Sequence, residues 1–188
     1  MKKIAFTFLL FVCTSAFVFS QSHLQFGLLS GSNKLKDLTP DDFSHSGWRI
    51  GIDQKLGGVG VYFLGGIHYV RFNEEARDGT NFFDTDPAIQ ILKPRLGIGA
   101  TPFAIGDLFK IRVKGLASYN YFLAFDGERA NFDTDKIKSG YLNFDFGVGA
   151  NIGMVTLDIE YELGLNGAID DLDDSQFRFL SVAVGLTF

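Results

Sequence analysis

Three carboxylates spaced by two, Asp158, Glu160 and Glu162, stand among apolar residues, with Asp145 upstream of them. Basic side chains repeat that spacing elsewhere: Arg49 and Lys55 flank Asp53, Lys93 precedes Arg95, and Lys110, Arg112 and Lys114 follow one another. Carboxylates held close together can share general acid and base work, and His23, His45 or His68 would be the bases available to them. Any strand that turns one face to a polar interior also spaces its polar residues by two. No histidine stands in a recognisable relation to a serine and an acid. The seven basic and five acidic positions therefore read as interior filling, with basic and acidic segments attracting across a lumen, and no catalytic, cofactor or metal residue is assigned.

A second set of acids lies between the alternating segments. Asn81-Phe82-Phe83-Asp84-Thr85-Asp86 is echoed by Asn131-Phe132-Asp133-Thr134-Asp135, and Asp170, Asp171, Asp173 and Asp174 follow later. Such clusters can bind Ca²⁺ or bridge divalent ions to lipopolysaccharide phosphates. None has the regular ligand pattern and distal glutamate of a complete EF-hand loop, so solvated loop charge is the default reading.

The elements that must position the interior charges read as eight strands. Their segments are His23 to Ser30, Gly47 to Leu56, Val59 to Phe72, Ala88 to Thr101, Leu108 to Leu123, Gly140 to Ile152, Thr156 to Asn166, and a last one from Phe177. Most alternate large apolar residues with polar or small ones, the signature of a strand with two unlike faces. In the last segment Leu180, Val182, Val184, Leu186 and Phe188 oppose Ser181, Ala183, Gly185 and Thr187. A greasy face opposite a merely small one suits a strand with lipid outside and a narrow, filled barrel inside. Residues 59–72 alternate less cleanly and their facing is left open. Gly57-Gly58 is expected to form a two-residue hairpin turn, and Pro94, which cannot donate to a ladder, a bulge or unpaired position.

Connection lengths add an independent argument. Three joins are a few residues long, while those around Gly31–Ser46, Asn73–Pro87, Ala124–Ser139 and Gly167–Ser175 are long and polar. Short turns on one side, long loops on the other, and both chain ends on the short-turn side give the plan of an outer-membrane barrel. Trp48, Tyr69, Phe72, Tyr119, Tyr121, Tyr141 and Phe177 would form a girdle near the loop side, and Phe103, Phe109 and Phe188 one near the turn side.

Met1-Lys2-Lys3 followed by an apolar run to Phe19 reads as a secretory signal peptide, residues 1–20, cleaved before Gln21. The single cysteine, Cys13, lies inside it, so residues 21–188 would fold with no disulfide. Without Lys2 and Lys3 the formal charge goes from −5 to −7, which argues against nucleic acid as a partner and against a polybasic lipid patch. The fold class expected is all-β: an eight-stranded antiparallel up-and-down transmembrane β-barrel behind a signal peptide.

Taken together, the leader, the alternating segments, the Gly-rich turns, the acidic loops and the terminal Phe188 resemble small outer-membrane β-barrel proteins of Gram-negative bacteria, of OmpX/OmpA-like size. The Phe19-Ser20-Gln21 junction and the Phe- and Tyr-rich style resemble the porin-family outer-membrane β-barrel group of Bacteroidetes-type bacteria, which includes PorT-like proteins. The resemblance implies an outer-membrane location, with outer-membrane lipid and lipopolysaccharide as surroundings. It also implies delivery to the barrel-assembly machinery through the last strand ending in Phe188. A structural, surface-interaction or secretion-accessory role with an envelope partner would follow, and the runners-up are a lipid-modifying or proteolytic barrel enzyme and a narrow channel.

Overall fold

The computed structural model describes residues 20–33, 43–57, 60–75, 89–125, 139–165 and 177–188, all strand or tight turn. Eight strands follow in chain order: β1 Ser20–Asn33, β2 Phe43–Gly57, β3 Val61–Glu75, β4 Ile89–Ile105, β5 Phe109–Phe125, β6 Gly140–Ile152, β7 Val155–Gly164 and β8 Phe177–Thr187. Each pairs antiparallel with the next, and β8 returns to β1, so the sheet is a closed barrel. Closure matters because lipid offers no water to satisfy the N–H and C=O groups of a free sheet edge. The seam is bonded to its end, with Phe188 N donating to Ser22 O at 3.0 Å and Ser22 N to Phe188 O at 2.9 Å.

Register fixes the tilt. The ladder runs from Ser22 through Gln54, Gly65, Leu96, Ala117, Phe144, Leu163 and Arg178 back to Ser32, so one circuit climbs from residue 22 to residue 32 of β1. That stagger, over eight strands, tilts them by about 40° and sets a radius of about 8 Å, a lumen that side chains can fill. Exposure alternates accordingly: Leu180, Val182, Val184 and Leu186 each present about half of their surface outward, while Ser181 and Ala183 are buried.

The open facing of residues 59–72 resolves into two apolar faces. Tyr62, Leu64, His68, Val70 and Phe72 point into the barrel; Val61, Phe63 and Ile67 point out. Because both sets are largely apolar, hydropathy alone carries little period there. One local expectation is corrected, and at Pro94 the unpaired alternative holds rather than the bulge. The β2–β3 turn is longer than two residues, with positive φ at Gly57 and Gly60; Gly58 lies outside the described residues. At Pro94 the β4–β5 ladder skips from Leu92↔Tyr121 to Arg95↔Ser118 without changing register, because proline removes a donor but adds no residue. The bulges lie instead between Gln90 and Ile91 and between Ala100 and Phe103.

Candidate functional site

The lumen gathers the charged residues that alternation turned inward on β2, β4, β5, β6 and β7. Arg95 on β4 stands at its centre, fully buried. Its Nε donates to Asp53 Oδ1 at 2.9 Å, its Nη2 to Asp53 Oδ2, and its Nη1 to Glu160 Oε2 at 2.8 Å. A guanidinium suits this place because its rigid fork engages two carboxylates at once. Arg49 Nη1 donates to the same Glu160 oxygen at 2.5 Å, and Lys114 pairs with Glu160 and with Asp158. Asp158 also accepts from Arg112 Nη2 at 2.9 Å and from Gln25 Nε2 at 3.3 Å. Nearer the loop side, Lys93 lies 3.0 Å from Asp145 and donates to Glu162 at 2.6 Å. Glu162 accepts further bonds from Asn120 at 2.8 Å and from Asn143.

All twelve charged positions expected to face inward do so, and basic β4 and β5 meet acidic β7 across the lumen as their sequences require. Lys55 and Lys110 sit toward the turn-side mouth, with Lys55 Nζ 4.3 Å from the centre of the Tyr62 ring. His23 and His68 join the network: His23 Nδ1 meets Thr187 Oγ1 at 3.2 Å, and His68 Nε2 meets Asp53 Oδ1 at 3.2 Å. The His68 ring crosses the lumen side of Gly51, where a Cβ would collide with it, so glycine there makes room for the network. His45 belongs to β2, but its side chain is outside the described residues, as are the acidic clusters at 81–86, 131–135 and 170–174. Among the described residues no group of three or more His, Cys, Asp and Glu is placed to hold a metal ion.

Above the ion network lies a layer that alternation in the loop-side segments concealed. Phe72, Tyr141 and Phe177, expected in the outer girdle, point inward and are buried with Leu29, Val70, Ile89, Ile91 and Phe179. Ring centroids of Phe72 and Phe179 are 5.1 Å apart, and those of Tyr141 and Phe177 5.3 Å. The signal was available in phase rather than in residue type: Phe177 and Phe179 share the parity of inward Ser181 and Ala183. Trp48, Tyr69, Tyr119 and Tyr121 do face outward. Between the apolar layer and the ions is a void of about 20 Å³, bordered by Leu29, Arg49, Phe72, Lys93 and Glu162; it is the size of a water molecule or so.

Chemically, the lumen is a two-layer plug, with every carboxylate of the network held by at least one cation. The outer wall offers the opposite chemistry, an apolar surface with a furrow of about 650 Å³ that runs over Gly115 between Leu96, Ile98, Phe144 and Phe146.

No protein-family model and no curated protein matches the chain. Among solved structures it is similar to Neisserial surface protein A at 14% identity and a TM-score of 0.50, over 90% of this chain and 97% of that one. It also aligns with Ail of Yersinia pestis, solved with the heparin analogue sucrose octasulfate, at 14% identity and a TM-score of 0.39 over 90% and 99% of the two chains. OmpT of Vibrio cholerae aligns at 11% identity and a TM-score of 0.30, over 91% of this chain and 53% of that one. The likeness to the Neisserial protein is one of fold, that of a small outer-membrane β-barrel.

Proposed function

We propose that this chain is a resident of the bacterial outer membrane that acts as a closed, non-enzymatic barrel in the cell envelope. The observation that carries the reading is the pairing of an apolar exterior with a lumen packed by ion pairs and capped by aromatic rings. An exterior row such as Leu180, Val182, Val184 and Leu186 needs lipid around it, and a lumen so filled gives solutes no path. Work is then left to the rim and the loops, in a structural, surface-interaction or secretion-accessory role. The porin-family and PorT-like resemblance of the sequence favours the last of these. Catalysis is not proposed, because each carboxylate of the lumen is already neutralised by a cation.

The last strand also supports a route to the membrane. Directly after β8 stands an exposed aromatic, Phe188, bonded to the first strand, and we assign β8 with Phe188 the role of signal to the barrel-assembly machinery. Cell fractionation with electrophoresis of unheated and boiled samples tests the reading. The protein is expected in the outer-membrane fraction with a band that shifts on boiling; recovery in the soluble fraction with no shift would overturn it. In planar bilayers, steady large single-channel steps from the purified protein would overturn closure.

A further inference from the structure

Among the outward strand positions whose side chains are described, only two carry charge: Arg71 on β3 and Arg178 on β8. Both are basic, and both lie at the loop-side ends of their strands. They also share one level. The ladder from Arg178 leads through Ser32 and Ser44 to Glu75, and the stagger of the barrel over three strands lowers that line by about four residues, to Arg71.

The surface between them is built in tiers. Arg71 holds its guanidinium 5.6 Å from the Trp48 ring centre. Trp48 in turn packs against Tyr69 and Phe26, with centroids 5.9 and 6.1 Å away. Tyr69 is anchored by donating to Gln90 Oε1 at 2.7 Å. Below this shelf the wall is exposed Leu28, Ile50 and Leu180. On the far wall the loop-side positions Tyr119, Tyr121, Leu123 and Leu142 are apolar or phenolic, so among the described residues the outward cations belong to one side. Arginine on a lipid face is tolerated near the interface, where phosphate headgroups lie, and its fork matches phosphate oxygens.

We infer that the wall formed by β8, β1, β2 and β3 binds a lipid carrying more than one phosphate, as lipopolysaccharide does. Arg71 and Arg178 take separate phosphates, and the Phe26, Trp48 and Tyr69 shelf takes the upper acyl carbons. The inference rests on the outer-membrane reading and adds to it a site and a ligand class.

Trp48 is the only tryptophan of the chain, so its fluorescence reports directly on the shelf. The full chain, folded in detergent micelles, is titrated with purified lipopolysaccharide, with the single-phosphate lipid phosphatidylglycerol, and with zwitterionic phosphatidylcholine. Lipopolysaccharide is expected to give a saturable change in Trp48 emission. The double variant Arg71→Gln, Arg178→Gln should need at least tenfold more of it while keeping the compact unheated band. Phosphatidylglycerol should act at least tenfold more weakly and phosphatidylcholine not at all. A double variant that titrates like the parent, or equal responses to the three lipids, would overturn the site while leaving the membrane barrel intact. Failure to form any heat-shifting band in micelles would instead overturn the outer-membrane reading, and this inference with it.

Discussion

Arg95 is the residue on which the lumen turns, because it alone joins Asp53 of β2 to Glu160 of β7. Replacing such a pair wholly by apolar groups can be neutral, but removing one partner strands buried charge. Arg95→Met is therefore expected to cost about 3–5 kcal/mol, read as a lower urea midpoint for loss of the unheated compact band. Arg95→Lys restores the charge without the fork, so it should recover only part of that loss. Asp107 makes the contrast. It also pairs with a cation, accepting from Lys110 Nζ at 2.8 Å, and that hydrogen bond and charge hold its carboxyl below the usual carboxylate range. It stands on an exposed turn, where water screens the pair. Asp107→Ala should leave the urea midpoint unmoved, and a clear drop would mean that the turn contributes more than its exposure allows.

At the scale of elements, what alternation could announce depended on whether the two faces of a strand differ in chemistry. β5 and β7 set Lys110, Arg112 and Lys114, or Asp158, Glu160 and Glu162, against large apolar residues, so strand, facing and cross-lumen charge pairing were all legible. β3 puts Tyr62, Leu64 and Val70 inside and Val61, Phe63 and Ile67 outside, so its strand character was legible and its facing was not. By residue type alone Phe72, Tyr141 and Phe177 suit an outward place, since aromatic residues near strand ends fit a membrane interface. Parity, not residue type, turns them in, and a narrow lumen closed over its ions gives them an apolar place to pack. Turn chemistry was legible where one glycine decides it. Gly153, in the β6–β7 turn, has φ of 59° with nothing within 4 Å of where a Cβ would stand. The objection to a side chain there is thus backbone strain rather than space. Gly153→Val should cost about 1–2 kcal/mol and slow folding into micelles. Gly153→Asn should cost less, since asparagine tolerates that backbone region; equal losses for the two would point to a contact rather than to φ.

For the whole molecule, the two layers of the lumen act in series, so either one alone should keep the barrel closed to ions. The apolar layer excludes ions because an unpaired charge among Phe72, Phe177, Phe179 and Tyr141 would lose its hydration without gaining a partner. The ionic layer excludes them because its cations and carboxylates already occupy the centre of the lumen in mutual contact. A pore of this radius conducts only when both obstacles are cut back. Removing Arg95 and Glu160 together as serines takes one cation and one anion from the centre and leaves the aromatic layer whole. That variant should therefore stay silent in planar bilayers, although its urea midpoint falls. Phe72→Ala with Phe179→Ala thins the cap, at a cost of about 3–5 kcal/mol per ring, and leaves the ions in place; it too should stay silent. Combining the four substitutions should give discrete ion-conducting steps, provided the unheated band remains compact. Conductance from the serine pair alone would mean that the aromatic layer does not seal. Silence from the folded quadruple variant would mean that these two layers are not what seals the barrel.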